Sequence, residues 1–320
     1  DYQRFLNRDR TSNITLSYLF TTDPTTTESR NIYDPLPAGI PLTLNDLHSN
    51  SKMRGTEHTF QADYTTPLSK NQTLNAGAKF IGRRNTSDSK FYNIINGKEV
   101  FDSNSSVNYK NTQSILASYI EYKLTLGKFS AKAGARYEQN VEFILGKGDD
   151  FKKNYGNLVP SASFTYNIGA AVNVGVNYNM RISRPGISFL NPYVDRSTPT
   201  VLTYGNPNLD VEESHKVNLV FNAFTPKFMV NLTLGEAFAN NQIEQYSFMD
   251  ANGILNTTYG NIVRSRWTNF NTFINYSMTP NTRIFLNGGF DYGDMRSDKL
   301  SQKKHAWQAT AFIGLQQTLP

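Results

Sequence analysis

Leu116-Ala117-Ser118-Tyr119-Ile120-Glu121-Tyr122-Lys123-Leu124-Thr125-Leu126-Gly127-Lys128-Phe129-Ser130-Ala131-Lys132-Ala133-Gly134-Ala135-Arg136-Tyr137-Glu138 is the stretch that decides how the chain is read. Successive side chains of an extended strand point to opposite faces. Leu116, Ile120, Tyr122 and Leu124 therefore share one face on the way to the Leu126-Gly127-Lys128 turn. Phe129, Ala131, Ala133, Ala135 and Tyr137 share that face on the way back. Glu121, Lys123, Lys132, Arg136 and Glu138 all fall on the other. A strand with that many charges needs water on that side, or paired charges in a filled interior.

Working outward, the same two-residue beat recurs in about twelve segments. Ile14, Leu16, Tyr18 and Phe20 alternate with Asn13, Thr15 and Ser17, and Phe60, Ala62 and Tyr64 return. Leu74, Ala76, Ala78 and Phe80 precede the hairpin quoted above; Ala162, Phe164 and Tyr166 follow it. Then come Val172 to Tyr178, Val217 to Ala223, Phe228 to Leu234, Phe270 to Tyr276, Ile284 to Tyr292 and Trp307 to Leu315. One set of connections is short: 67–72, 126–128, 168–170, 225–227 and 278–281. The other is long and polar: 23–52 with Pro24, Pro35, Pro37 and Pro41, then 85–106, 184–210 and 294–303.

Short turns at one end, long connections at the other and aromatic residues near the strand ends are the pattern of an outer-membrane barrel. The expected fold class is all-β, an antiparallel up-and-down transmembrane β-barrel, with residues 1–320 as one barrel domain. Packed soluble β-meanders also alternate, but they place tight turns at both ends. Mean hydropathy is −0.50 and hydrophobic residues make up 38%, which excludes a helical membrane protein and suits a wall of which every second residue meets lipid. There is no cysteine, so thiol catalysis, disulfides and thiolate metal sites are excluded. The net charge of +6 is scattered, with no basic arm for nucleic acid. The opening Asp1-Tyr2-Gln3-Arg4 is not a secretory signal, and Gln317-Thr318-Leu319-Pro320 lacks a terminal aromatic, so a truncated barrel is expected.

Chemistry has little foothold in the residues. His48, His58, His215 and His305 lack ligand spacing, no G-x-S-x-G motif occurs, and Gly146-Lys147-Gly148 lacks a P-loop frame. Ser214 beside His215 is the one pairing a barrel-embedded hydrolase could use. Lys79, Arg83, Lys132, Arg136, Arg181 and Arg283, with Asp63, Glu138 and Lys216, are expected to line the lumen. Their role there is to pair with a plug or to steer an anionic ligand inward. Tyr33, Tyr193, Tyr204 and Phe248 are loop aromatics able to stack on a sugar or a siderophore ring.

Between the seventh and eighth of these strands stand Arg184-Pro185, Asn191-Pro192, Gly205-Asn206-Pro207-Asn208-Leu209 and Glu212. This arrangement resembles the barrel of TonB-dependent outer-membrane receptors, especially the outer membrane protein beta-barrel family, in which an RP segment leaves one strand and GNPNL with a downstream Glu leads into the next. Asp210-Val211 stands where many members carry a basic residue and a proline. The prolines end strand pairing, Gly205 permits a bend and the asparagines bond local backbone, so the motif reads as structural.

The resemblance implies a barrel of about 22 strands with a plug in its lumen, of which this chain supplies about twelve strands and no plug. It implies a bacterial outer-membrane receptor and transporter rather than an enzyme, with no cofactor. The implied partners are outer-membrane lipid, TonB, the receptor's own plug and a small ligand: a siderophore, an oligosaccharide or a peptide. A stand-alone twelve-stranded pore or translocator, and an adhesive surface barrel, are the alternatives.

Overall fold

The computed structural model describes residues 1–33, 45–146, 150–190, 195–198, 201–251 and 253–319. Its strands are β1 (Tyr2–Phe5), β2 (Asn13–Asn31), β3 (Asp46–Ser69), β4 (Gln72–Ile95), β5 (Lys98–Leu126), β6 (Phe129–Leu145), β7 (Phe151–Asn167) and β8 (Val172–Ser183). A four-residue helix α1 (Ile187–Leu190) and the short β9 (Asp195–Thr198) and β10 (Val201–Thr203) interrupt the series. It resumes with β11 (Glu212–Phe224), β12 (Phe228–Met249), β13 (Leu255–Thr279), β14 (Thr282–Ser297) and β15 (Gln302–Gln317).

All fifteen strands belong to one sheet, and each of the twelve long ones pairs antiparallel with its neighbours. Among the described residues β1 pairs only with β2 and β15 only with β14, so the described strands form an open wall.

Register carries the odd–even division across the whole sheet. Leu16, Ala62, Ala78, Ser118, Tyr137 and Leu158 lie in one cross-strand row, and Ser17, Gln61, Lys79, Ala117, Glu138 and Asn157 in the next. The first face is apolar and uncovered by protein: Leu116 is 59% exposed, Ile120 56% and Leu158 59%. An uncovered apolar face of this size belongs against hydrocarbon. Two aromatic clusters mark its upper rim. Tyr18 Oη lies 3.0 Å from His58 Nδ1, and Tyr178 Oη 2.9 Å from His215 Nδ1, with Phe20 and Phe238 rings against the two imidazoles. Each histidine stands about ten residues above the short turns, the height of an interfacial girdle.

The polar stretches read above as loops are mostly strand. β2 runs on to Asn31, β3 begins at Asp46, and residues 85–106 form the upper arms of β4 and β5, closed by a two-residue turn at Asn96-Gly97. Both turn residues have positive φ (49° and 75°), the signature of a type I′ hairpin, which Asn-Gly favours. β14 and β15 likewise reach Ser297 and Gln302 inside the expected 294–303 loop. The reason is physical: above the lipid both faces of a sheet are wet, so backbone pairing continues while the apolar beat stops. The 29 residues of β5 extend roughly 95 Å, whereas a tilted strand crosses the lipid band in roughly 35 Å. More than half of it stands outside.

Pro24 sits within β2 above Leu16, where β1 no longer pairs with it, and Pro160 in β7 sits one residue beyond the pairing with β8. Both positions ask no ladder donor of the proline. Pro35, Pro37 and Pro41 lie outside the described residues, as do Lys147 and Gly148. At the tip of β5, Asp102 accepts from Ser105 Oγ (2.6 Å), Asn104 N (2.9 Å) and Ser105 N (3.2 Å). The Ser105 hydroxyl, joined by these amides, holds the Asp102 carboxyl below the ordinary carboxylate range.

Candidate functional site

The wet face of the wall divides into two arcs. On β3 to β6 it is charged. Arg83 Nε is 2.5 Å from Glu57 Oε2, and Arg83 Nη1 donates to Gln113 Oε1 at 3.3 Å. Tyr119 Oη donates to Asp63 Oδ1 (2.7 Å), and Glu121 takes Asn75 Nδ2 and Lys132 Nζ at 3.0 Å each. Arg136 Nε stands 2.7 Å from Glu138 Oε1, and Asn111 Nδ2 donates to Glu142 Oε1 at 2.5 Å.

From β8 to β13 the same face is built of carboxamides. Asn173, Asn222 and Asn231 lie in one cross-strand row; Asn222 Nδ2 donates to Asn173 Oδ1 at 3.0 Å and Asn231 Nδ2 to Asn222 Oδ1. Asn177, Asn218 and Asn269 share another row, with Gly235 between the last two.

Lys79, Arg83, Lys132, Arg136, Arg181 and Arg283 all fall on this inner face by register. Arg83, Lys132 and Arg136 are paired as described. Lys79, Arg181 and Arg283 make no ion pair with another described residue. Ser214 also faces inward, opposite Ala239, while its neighbour His215 faces the lipid and bonds Tyr178. The two point to opposite sides of one strand and cannot act together. Among the described residues no cluster of His, Cys, Asp and Glu could hold a metal ion. His48 instead lies between Glu28 and Glu99, 3.0 Å from each.

The connection from β8 to β11 folds inward and rests on both arcs. Arg184 reaches back to Glu138, which is only 8% exposed in its side chain, so that one carboxylate serves two guanidinium groups. Pro185 and Gly205 are buried. Leu190 and Leu209 are 0% and 1% exposed, packed with Tyr109 of β5 and Ile144 of β6. Burying two leucines this fully stabilises the fold by about 1.5–3 kcal/mol each. Lys153 of β7 donates to the Leu209 carbonyl.

On the other side Asn206 Nδ2 donates to the Tyr259 carbonyl (3.0 Å), the Phe189 ring packs tilted against Tyr259 (4.5 Å), and β10 runs parallel to β13. Asn206 Oδ1 also accepts from Asn208 N at 2.9 Å, a local turn that Pro207 shapes. Glu212 Oε1 accepts from Ile243 N at 2.6 Å. Asn191 and Pro192, with Tyr193, lie outside the described residues.

Two wall residues missed in the sequence hold this loop. Asn241 Nδ2 donates to the Val211 carbonyl (2.7 Å) and its Oδ1 accepts from Glu213 N (3.0 Å). Asn261 Oδ1 accepts from Asp210 N (2.9 Å), and its Nδ2 donates to the carbonyls of Asp210 and Asn241. The signal was present: Asn240-Asn241-Gln242 breaks the alternation of β12, where the pairing shifts register between Ala239 and Ile243.

A search of curated proteins finds no match. Among solved structures the chain is similar to the ferric citrate transporter FecA in its unliganded form, with a TM-score of 0.64 at 14% identity over 95% of this chain and 44% of that one. It is similar to the copper transporter OprC, with a TM-score of 0.63 at 10% identity over 95% and 48%. It is also similar to the Serratia marcescens hemophore receptor HasR in complex with its hemophore HasA and heme, with a TM-score of 0.56 at 13% identity over 97% and 58%. At such identities these likenesses speak for the fold, and the chain spans about half the length of those proteins. The profile of the outer membrane protein beta-barrel family matches residues 3–320. The chain belongs to that family and is a bacterial outer-membrane β-barrel protein.

Proposed function

We propose that the chain is part of the barrel wall of a TonB-dependent receptor, which captures a solute outside the cell and imports it when TonB pulls on a plug domain. The inward-folded 184–211 connection carries this reading: it hangs from the inner wall at the level where a solute entering from outside first meets the lumen. Lys79, Arg181 and Arg283 have no acidic partner among the described residues and are offered to the plug. Charged groups facing one another across such a seam fix register and specificity more than stability.

The stand-alone pore finds less support, since β1 and β15 do not pair with each other. No reaction is assigned, and the similar solved structures are named as transporters and a receptor.

The test uses the full-length protein in its own outer membrane. Cells are supplied with ferric siderophores, heme, copper, peptides or oligosaccharides in turn, with and without this protein and with and without TonB. Uptake of at least one solute should require both. Uptake that needs the protein but not TonB would replace the receptor reading with a passive pore.

A further inference from the structure

The lumenal face of β13, β14 and β15 carries aromatic rings that neither the ion pairs nor the infolded loop uses. Trp267 lies opposite Gly293 in the β13–β14 register, and a methyl group built on Gly293 would lie 2.5–2.7 Å from the six-membered ring of the indole. The ring is therefore laid flat on bare backbone. That packing uses one face only; Trp267 keeps 42% exposure, with its other face toward the lumen.

About 20 Å along the same strand, Phe273 and Phe312 flank Asn287 in one cross-strand row; Phe312, 62% exposed, packs against Phe285 (5.7 Å), and Phe285 covers Gly314 in the way Trp267 covers Gly293. The rows between the two aromatic levels are polar and mostly uncharged: Asn269, Asp291 and Gln308 in one, Asn271, Gly289 and Thr310 in the next. Asp291 on one side of Trp267 is balanced by Lys304 on the other.

Flat rings alternating with carboxamides match one ligand chemistry closely. A pyranose ring has an apolar C–H face that stacks on an indole and a rim of hydroxyls that each donate and accept. An asparagine side chain likewise offers a donor and an acceptor together. An anionic chelate would ask for a cluster of cations against the ring, and the residues flanking Trp267 in its own row, Ala237 and Gly293, carry none; Lys216 stands beyond Ala237, two strands away, and Lys304 in the next row beside Met295.

We propose that this face is a binding track for an uncharged oligosaccharide, with Trp267 as its stacking platform. The inference rests on the receptor reading and names the solute class for it.

The experiment titrates purified full-length protein in detergent with maltohexaose, cellohexaose, xylohexaose and a fructo-oligosaccharide, with hemin as the flat charged control, by calorimetry. At least one neutral oligosaccharide should bind. Trp267→Ala should weaken it about tenfold, Trp267→Phe less, and Gly293→Ala, which lifts the indole from its seat, comparably to Trp267→Ala. Trp307→Ala, on the lipid face, should leave binding unchanged, and Trp267→Phe keeps the test readable if the alanine variant folds poorly.

No binding by any of the four sugars, binding indifferent to Trp267, or hemin bound in their place through Trp267 would each overturn the proposal. TonB-dependent uptake of another solute by a Trp267→Ala strain would leave the receptor reading standing while removing the track.

Discussion

Two arcs of one inner wall are built by different means. Between Glu57 and Glu142 the wet face of β3 to β6 is held by ion pairs, two of which, from Arg136 and Arg184, share the Glu138 carboxylate. From Asn173 to Asn269 the wet face of β8 to β13 carries side-chain amides, of which Asn173, Asn222 and Asn231 bond one another across three strands. The first arc turns on the buried Glu138, since removing that carboxylate strands two guanidinium groups at a cost above the value of either pair. The second consists of neutral groups, each replaceable and each worth little. The inward loop leans on the first through Glu138 and Lys153, and on the wall above the second through Asn241, Tyr259 and Asn261.

The sharpest way to break this comparison is to lift the loop from the charged arc. Leu209→Ala empties a fully buried site between Tyr109 and Ile144 and should destabilise loop docking by about 2–5 kcal/mol, read as faster hydrogen exchange over 184–211. Glu138→Ala should follow at about 2–3 kcal/mol, below the value for a fully buried pair because Arg136 is 39% exposed; Glu138→Gln should restore part of the loss. Asn222→Ala in the other arc should cost only about 0.5–1.5 kcal/mol, measured by denaturation of the folded barrel in detergent. If Asn222→Ala costs as much as Glu138→Ala, the two arcs are not different in kind.

The smallest effect concerns the hairpin tip, remote from both arcs. The Asp102 carboxyl should titrate below its ordinary value of about 3.9. The stability it lends the tip is present at neutral pH and is lost as pH falls through that lowered midpoint, and Asp102→Asn should abolish the transition in the amide shifts of Asn104 and Ser105.

How much of this was legible beforehand follows from where water is. Within the lipid band one face is hydrocarbon and the other wet, so Leu116, Ile120 and Tyr122 against Glu121 and Lys123 announce strand, direction and face together. Above the band that contrast ends: Thr25, Ser51 and Ser89 alternate with nothing, and the strands they belong to read as loop although their backbone is fully paired. The motif around Asn206 was visible as residues, but its seat was not. Asn241 and Asn261, which hold the loop, are two asparagines in a chain rich in them, and only the Asn240-Asn241-Gln242 break at the bulge in β12 sets Asn241 apart. The pairing of Arg184 with Glu138 joins residues 46 positions apart, and no local pattern encodes it. Trp267 was equally mute: facing lumen rather than lipid follows from the register of β13, in which it shares parity with Asn269 and Asn271.

Along each wall strand, side chains turn alternately to hydrocarbon and to water. Because the chain has no cysteine, single cysteines can be placed at 115 through 123 of β5, spin-labelled in lipid bilayers, and tested against oxygen and a water-soluble nickel chelate. Labels at 116, 118, 120 and 122 should respond to oxygen, and those at 117, 119, 121 and 123 to the chelate. Equal accessibility along the series, or a period near 3.6, would contradict that alternation.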